Sequence, residues 1–239
     1  MDKEMTLVGH LEELRKGIII SLTTIVALSI LAFPFSPKLL EILKSPGRGV
    51  MERLVFFDPP EAFLVHIKLS FLTGLVASMP VILYQLWAFI SPAMEEKMRK
   101  YGLIFGISFA AAFICGGLFG FFLLLPAALK FLLNFAKESL EPVISVSKYT
   151  SFAMGLVLGC GLVFEMPVLS YLLSKTGIIS SGFLRSKWKY AVIVIFIIAA
   201  MITPTPDIFD MTILALPMLL LYELSIWVSK FAQKTIQGA

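Results

Sequence analysis

Apolar runs that suit membrane-spanning helices recur six times in this chain, and no other feature narrows its fold as far. About 20 apolar residues carry a helix across the hydrocarbon core. Backbone polar groups at that depth must be satisfied internally, which leaves helices or closed barrels. The runs fall at about residues 17–35, 62–90, 101–125, 149–173, 190–202 and 212–228. Composition agrees: 58% of the 239 residues are hydrophobic and 15% are charged, against roughly 45–50% and 25% in soluble domains. A core of this size cannot hide the surplus, so lipid must cover it. We expect an all-α membrane protein, a single integral-membrane domain over residues 1–239 with six transmembrane helices. The first run is expected to be a retained span. Asp2, Glu4, Glu12 and Glu13 precede it, which is wrong for the basic start of a cleaved leader.

The fifth and sixth spans are expected to be short, so that they thin the bilayer or pack away from even lipid contact. Between them, Thr203-Pro204-Thr205-Pro206-Asp207 cannot continue a helix, because each proline lacks a donor and restricts its predecessor. A tight hairpin is expected there. In the loop after the first span, Lys38 to Lys44 has the pattern of a short amphipathic helix, ended by Pro46, Gly47 and Gly49. Pro59, Pro60 and Glu61 suit the start of the second span, with an acid near the positive end of the helix.

Lysine and arginine set orientation. With the N-terminus inside, twelve of the 20 basic residues fall in cytoplasmic segments and seven outside, with Lys68 in a span. Both termini are therefore expected in the cytoplasm. The net charge of +4 and pI near 9.0 follow from these loops. No basic stripe with interleaved aromatics suggests nucleic acid. There is no phosphate-binding glycine loop and no HExxH pair. His66 and Ser70 are the one Ser/His pair at helical spacing, and no acid completes a triad. The expectation is a helix histidine bonded to a neighbour. Cys115 and Cys160 lie in apolar runs without metal-ligand spacing. The chain is expected to be no enzyme, with no catalytic residue, no metal and no cofactor.

Ionisable groups at membrane depth are costly and tend to mark partners or wet cavities. Glu165 lies deep in the fourth span, in Val163-Phe164-Glu165-Met166-Pro167. It is either glue between two helices of the chain or a docking point for a polar group on another membrane helix. Glu223, near the end of the sixth span, suits snorkelling or an interface role, and Lys68 suits snorkelling. In His10-Leu11-Glu12-Glu13-Leu14-Arg15-Lys16, the acids stand where orientation favours bases. A cationic partner explains them, and an arginine fork suits a carboxylate best. The competing explanation is pairing of Glu12 with Arg15 or Lys16 along the helix. Glu95 and Glu96 repeat the theme in the loop after the second span. An alternative function is a proton-coupled secondary transporter with Glu165 as the ion site, although the Pro-broken second and fourth spans do not make matching halves.

Five segments together resemble the TatC family, the C subunit of the twin-arginine protein translocase: His10 to Gly17, Pro80 to Ala93, Leu125 to Phe131, Phe164 to Pro167, and Thr203 to Glu223. They occur in family order and cover nearly the whole chain. The resemblance implies a cupped six-helix bundle. It implies a core receptor that binds twin-arginine signal peptides at the cytoplasmic face. With A- and B-type single-span partners, in a multimeric complex of the inner membrane, it exports folded proteins using the proton-motive force. Glu13 matches the acid of the leading helix, Arg15 its arginine and Phe89 the aromatic before the first cytoplasmic loop. The family's acid of that loop falls on Met98, followed by the matching bases Arg99 and Lys100; Glu95 or Glu96 would supply the charge instead. Gly17 replaces the second base of the leading motif, and Met211 stands where a family glutamine is common. Glu165 matches the intramembrane acid thought to face the partner helices. Asp207 matches the acid of the last outer loop.

Overall fold

The structure is a computed structural model that describes residues 7–47, 54–90, 102–135, 143–202 and 208–237. The expected hairpin at 203–207 lies outside the described residues. The described elements are α1 (Leu7–Ala32), α2 (Ser36–Lys44), α3 (Pro59–Ile90), α4 (Gly102–Phe119), α5 (Leu125–Phe135), α6 (Val146–Lys175), α7 (Ser181–Ser186), α8 (Trp188–Ile202) and α9 (Ile208–Gln237). Two strands, β1 (Leu54–Val55) and β2 (Ile144–Ser145), pair in parallel. Five helical stretches among the described residues are long and apolar enough to cross a membrane, and Trp188–Met201 is a shorter sixth.

Side-chain exposure identifies the medium. Along α1, Ile18, Leu22, Val26 and Ile30 are at least half exposed, an apolar stripe at four-residue spacing. Water would not tolerate it, while lipid tails cover it at no cost. Hydroxyls in the helices turn inward to their own backbone. Ser21, Thr24 and Ser29 donate to the carbonyls of Gly17, Ile20 and Ile25 at 2.7–2.8 Å, and Ser70 and Thr73 do the same in α3. A hydroxyl without water must find an acceptor, and the carbonyl one turn back is always within reach.

Three boundaries differ from the expectation. The third run does not end at residue 125. A π turn over Gly120–Leu124, with the Leu125 N–H donating to the Gly120 carbonyl, carries the helix on into α5. Pro126 has no N–H to offer, and a wider turn is how a helix absorbs such a gap. The sixth apolar run is short, but its helix is not: α9 spans 30 residues, because the polar residues after Trp227 continue the same helical backbone. The strand pair was not foreseen, since two-residue strands leave no periodic signal. Other readings agree: α1 runs unbroken from the acidic segment into the first span, and α2 occupies the amphipathic stretch.

The chain divides into two compact units, Met1–Leu40 with His66–Ala111, and Glu41–Val65 with Ala112–Ala239. In the first, α1 meets α3 closely at Gly74, where any Cβ would overlap the Ser29 backbone; only glycine permits this approach. Trp87 near the end of α3 stacks on Phe105 of α4 at 4.8 Å. The His66 ring pairs with Ser36 at 3.0 Å, and Ser70 donates to the His66 backbone carbonyl. The histidine is indeed bonded to a neighbour, but that neighbour is not Ser70.

In the second unit α6 packs most extensively on α9, burying Leu156, Cys160, Leu172, Leu214, Ala215 and Met218. A buried Ser174–Ser229 hydrogen bond joins the two helices. Near it, Arg185 donates from Nη1 to both Glu223 carboxylate oxygens at 2.8 and 2.9 Å, and Tyr222 donates to the Leu184 carbonyl. Glu223 thus fastens α7 to α9. At another point of the unit, Glu61 joins the starts of α3 and α6. Its carboxylate accepts from the Phe57 N–H at 2.7 Å, the Ser147 N–H at 3.1 Å and the Ser145 hydroxyl. Tyr149 adds a bond to the Leu43 carbonyl at 2.6 Å. Gly177, at φ 75°, closes the C-terminal end of α6 in the left-handed region that glycine alone enters freely.

Candidate functional site

Within the first unit, α1 and α3 leave a groove of about 300 Å³ between them. Its α1 wall is built from Glu13, Gly17, Ser21 and Ile25, spaced one helical turn apart, with Leu14, Ile18 and Leu22 beside them. Its α3 wall comprises Ile82, Gln85, Leu86 and Phe89, again at three- and four-residue spacing. The walls come into ordinary contact at Gly17, where a Cβ would sit 3.5 Å from the Gln85 Cβ. The base that the family pattern expects at this position would project toward Gln85.

The groove is apolar along its length and acidic at one end. Glu13 is exposed and lines it, and no cation lies within ion-pair distance of it among the described residues; the one ion pair there is Arg185–Glu223. The alternative of Glu12 pairing with Arg15 or Lys16 is therefore not realised among those residues. A carboxylate beside an apolar trough offers two acceptor oxygens to a guanidinium. The neighbouring low-dielectric wall strengthens that pairing relative to open water.

The structure brings Glu13 and Phe89 to one groove. Arg15, two residues past Glu13, is exposed and does not line it, as the helical turn requires. Glu95, Glu96, Met98, Arg99 and Asp207 lie outside the described residues. Glu165 belongs to the other unit. It is 5% exposed, and neither carboxylate oxygen has a hydrogen-bond partner among the described residues. It therefore does not join helices of this chain through hydrogen bonds among the described residues. Sequence reasoning missed Gln85 and Ser21. The signal was present, since Gln85 precedes Phe89 by one turn and Ser21 follows Glu13 by two, but a lone polar residue in a span does not announce which neighbour it faces. Among the described residues, no cluster of His, Cys, Asp or Glu has the grouping to hold a metal ion.

Comparison with known proteins gives a consistent result. The family described as Sec-independent protein translocase protein (TatC) matches residues 9–217. The chain is 42% identical over 230 residues to the TatC protein of Carboxydothermus hydrogenoformans, covering 96% of this chain and 95% of that one. It is 39% identical to that of Aquifex aeolicus, covering 98% and 100%. It is 35% identical to the chloroplastic protein of Pisum sativum, covering 97% and 65%. A crystal structure described as the twin-arginine translocase receptor TatC superposes with a TM-score of 0.86 at 38% identity, covering 93% of this chain and 99% of that one. These matches favour the translocase reading and lend nothing to the transporter. With its apolar helices, its chain order of motifs and its relatives in agreement, this multi-pass membrane protein belongs to the TatC family of Sec-independent protein translocase proteins.

Proposed function

We propose that this chain is the core receptor subunit of a twin-arginine translocase and binds the paired arginines of a signal peptide at Glu13. The observation that carries the proposal is a Glu13 carboxylate without an ion-pair partner among the described residues, on an apolar groove that Phe89 also lines. The name of the similar solved structure, a twin-arginine translocase receptor, supports it. Glu95 or Glu96, with Arg99, completes the site from the adjoining loop, and Arg15 acts from the same helix as Glu13. The role is recognition and transport, with no catalytic step. The chain forms one integral-membrane domain in the inner membrane with both termini in the cytoplasm. It assembles with A- and B-type single-span subunits, and Glu165 receives a polar group from one of their helices. Asp207 acts in the last outer loop. Transport of the folded precursor draws on the proton-motive force.

The test is site-specific photo-crosslinking of a twin-arginine precursor to this chain in membranes. Probes at positions 14 and 86, which line the groove beside Glu13 and Phe89, capture the precursor, and capture disappears when the paired arginines become lysines, which cannot form the bidentate pair. Glu13→Ala should lower capture at least tenfold, given roughly 1.5–3 kcal/mol for a charge-assisted bond, while the protein still inserts. Normal capture and export by that variant would sink the assignment.

A further inference from the structure

The second unit contains a groove of about 500 Å³ that the receptor reading does not use. One wall is α6, through Gly159, Leu162, Val163 and Met166; the other is α8, through Tyr190, Ala191, Val194, Ile195 and Ile198. Met218 and Tyr222 of α9 complete the lining. The lining is apolar except at one end, where Lys187 and the Tyr190 and Tyr222 hydroxyls stand. The Tyr222 hydroxyl is committed to the Leu184 carbonyl. The Lys187 ammonium lies 5.4 Å from the Tyr190 ring and 5.9 Å from that of Phe183, and no carboxylate is within ion-pair distance of it among the described residues. The groove therefore has a cationic head and an apolar trough.

We infer that this groove binds one acyl chain of an anionic phospholipid, with the phosphate at Lys187. Length and charge both favour that occupant. From Lys187 to Ile198 the wall rises about 16 Å at 1.5 Å per residue, which matches one leaflet of a hydrocarbon core of about 30 Å. A single acyl chain fits lengthwise. Lys187 sits where the chain leaves the apolar wall, the position a phosphate takes, and basic pockets between membrane helices select anionic headgroups. The rings under Lys187 hold the ammonium at the mouth. At Gly159 the α6 wall carries no side chain.

The experiment uses the full chain in nanodiscs containing equal amounts of phosphatidylglycerol and phosphatidylcholine, each supplied in turn with a diazirine on one acyl chain. Labelling should map to 159–166 and 191–198, with phosphatidylglycerol favoured about fivefold, the factor given by about 1 kcal/mol per lysine near an anionic headgroup. Lys187→Gln should abolish the preference and leave labelling by phosphatidylcholine. Ala191→Trp should fill the trough and suppress labelling by both lipids while the wild-type melting temperature is kept. Equal labelling by the two lipids in the wild type, an unchanged preference in Lys187→Gln, or labels that avoid both walls would overturn the inference. So would displacement of the label from the walls by an added single-span partner helix, which would assign the groove to that helix.

Discussion

Glu61 and Glu165 are both acids of long helices in the second unit, and their surroundings are opposite. The Glu61 carboxylate accepts three hydrogen bonds and joins the starts of α3 and α6. Glu165 is almost fully buried and accepts none among the described residues. A buried acceptor without a donor costs about 1–3 kcal/mol, so a residue kept in that condition is not kept for the stability of the isolated chain. The comparison separates an acid that builds the fold from one that contributes no hydrogen bond to it among the described residues.

Three substitutions can break or sharpen this contrast. Glu61→Ala should have the largest effect on the isolated protein, because two backbone N–H groups and the Ser145 hydroxyl lose their acceptor together. Thermal melting in detergent should show a clear fall, with Glu61→Gln intermediate. An unchanged melt would erase the distinction. Glu165→Leu should move stability the other way by about 1–3 kcal/mol, since it replaces an unsatisfied carboxylate with an apolar group. The same variant should lose association with single-span partners on native gels. Lower stability would show that Glu165 is glue after all. Glu223→Gln should be the mildest, because the pair with Arg185 is substantially exposed at 36% and 64% and such pairs contribute about 0–1 kcal/mol. Its signature is local: faster proteolysis within Ser181–Ser186, with the melting temperature nearly constant.

The legible parts of the sequence share one property, a pattern confined to a single element. The apolar runs gave away the helices because lipid imposes its requirement on each helix separately. The amphipathic Lys38–Lys44 stretch and the continuous α1 were legible for the same reason. Helix ends were less so. The third run continues through Pro126 because a π turn compensates it, and the α9 backbone outlasts its apolar stretch. Neither proline nor polarity by itself stops a helix when the next turn can supply the missing bond. At the groove, Glu13 stood out as an acid where orientation favours bases and Phe89 came from family resemblance, whereas Ser21 and Gln85 needed the geometry of two facing helices.

What residue order alone determined is the medium, the helical class and the family, since hydropathy and short motifs are properties of neighbours along the chain. What only the tertiary structure decided is which polar groups have partners. His66 pairs with Ser36, Glu223 with Arg185 and Glu61 with the start of α6, while Glu13 and Glu165 are left without an ion-pair or hydrogen-bond partner among the described residues. These pairings join residues 30 or more positions apart, and a hydrogen bond acts only across about 3 Å, a distance that no spacing in the sequence can fix.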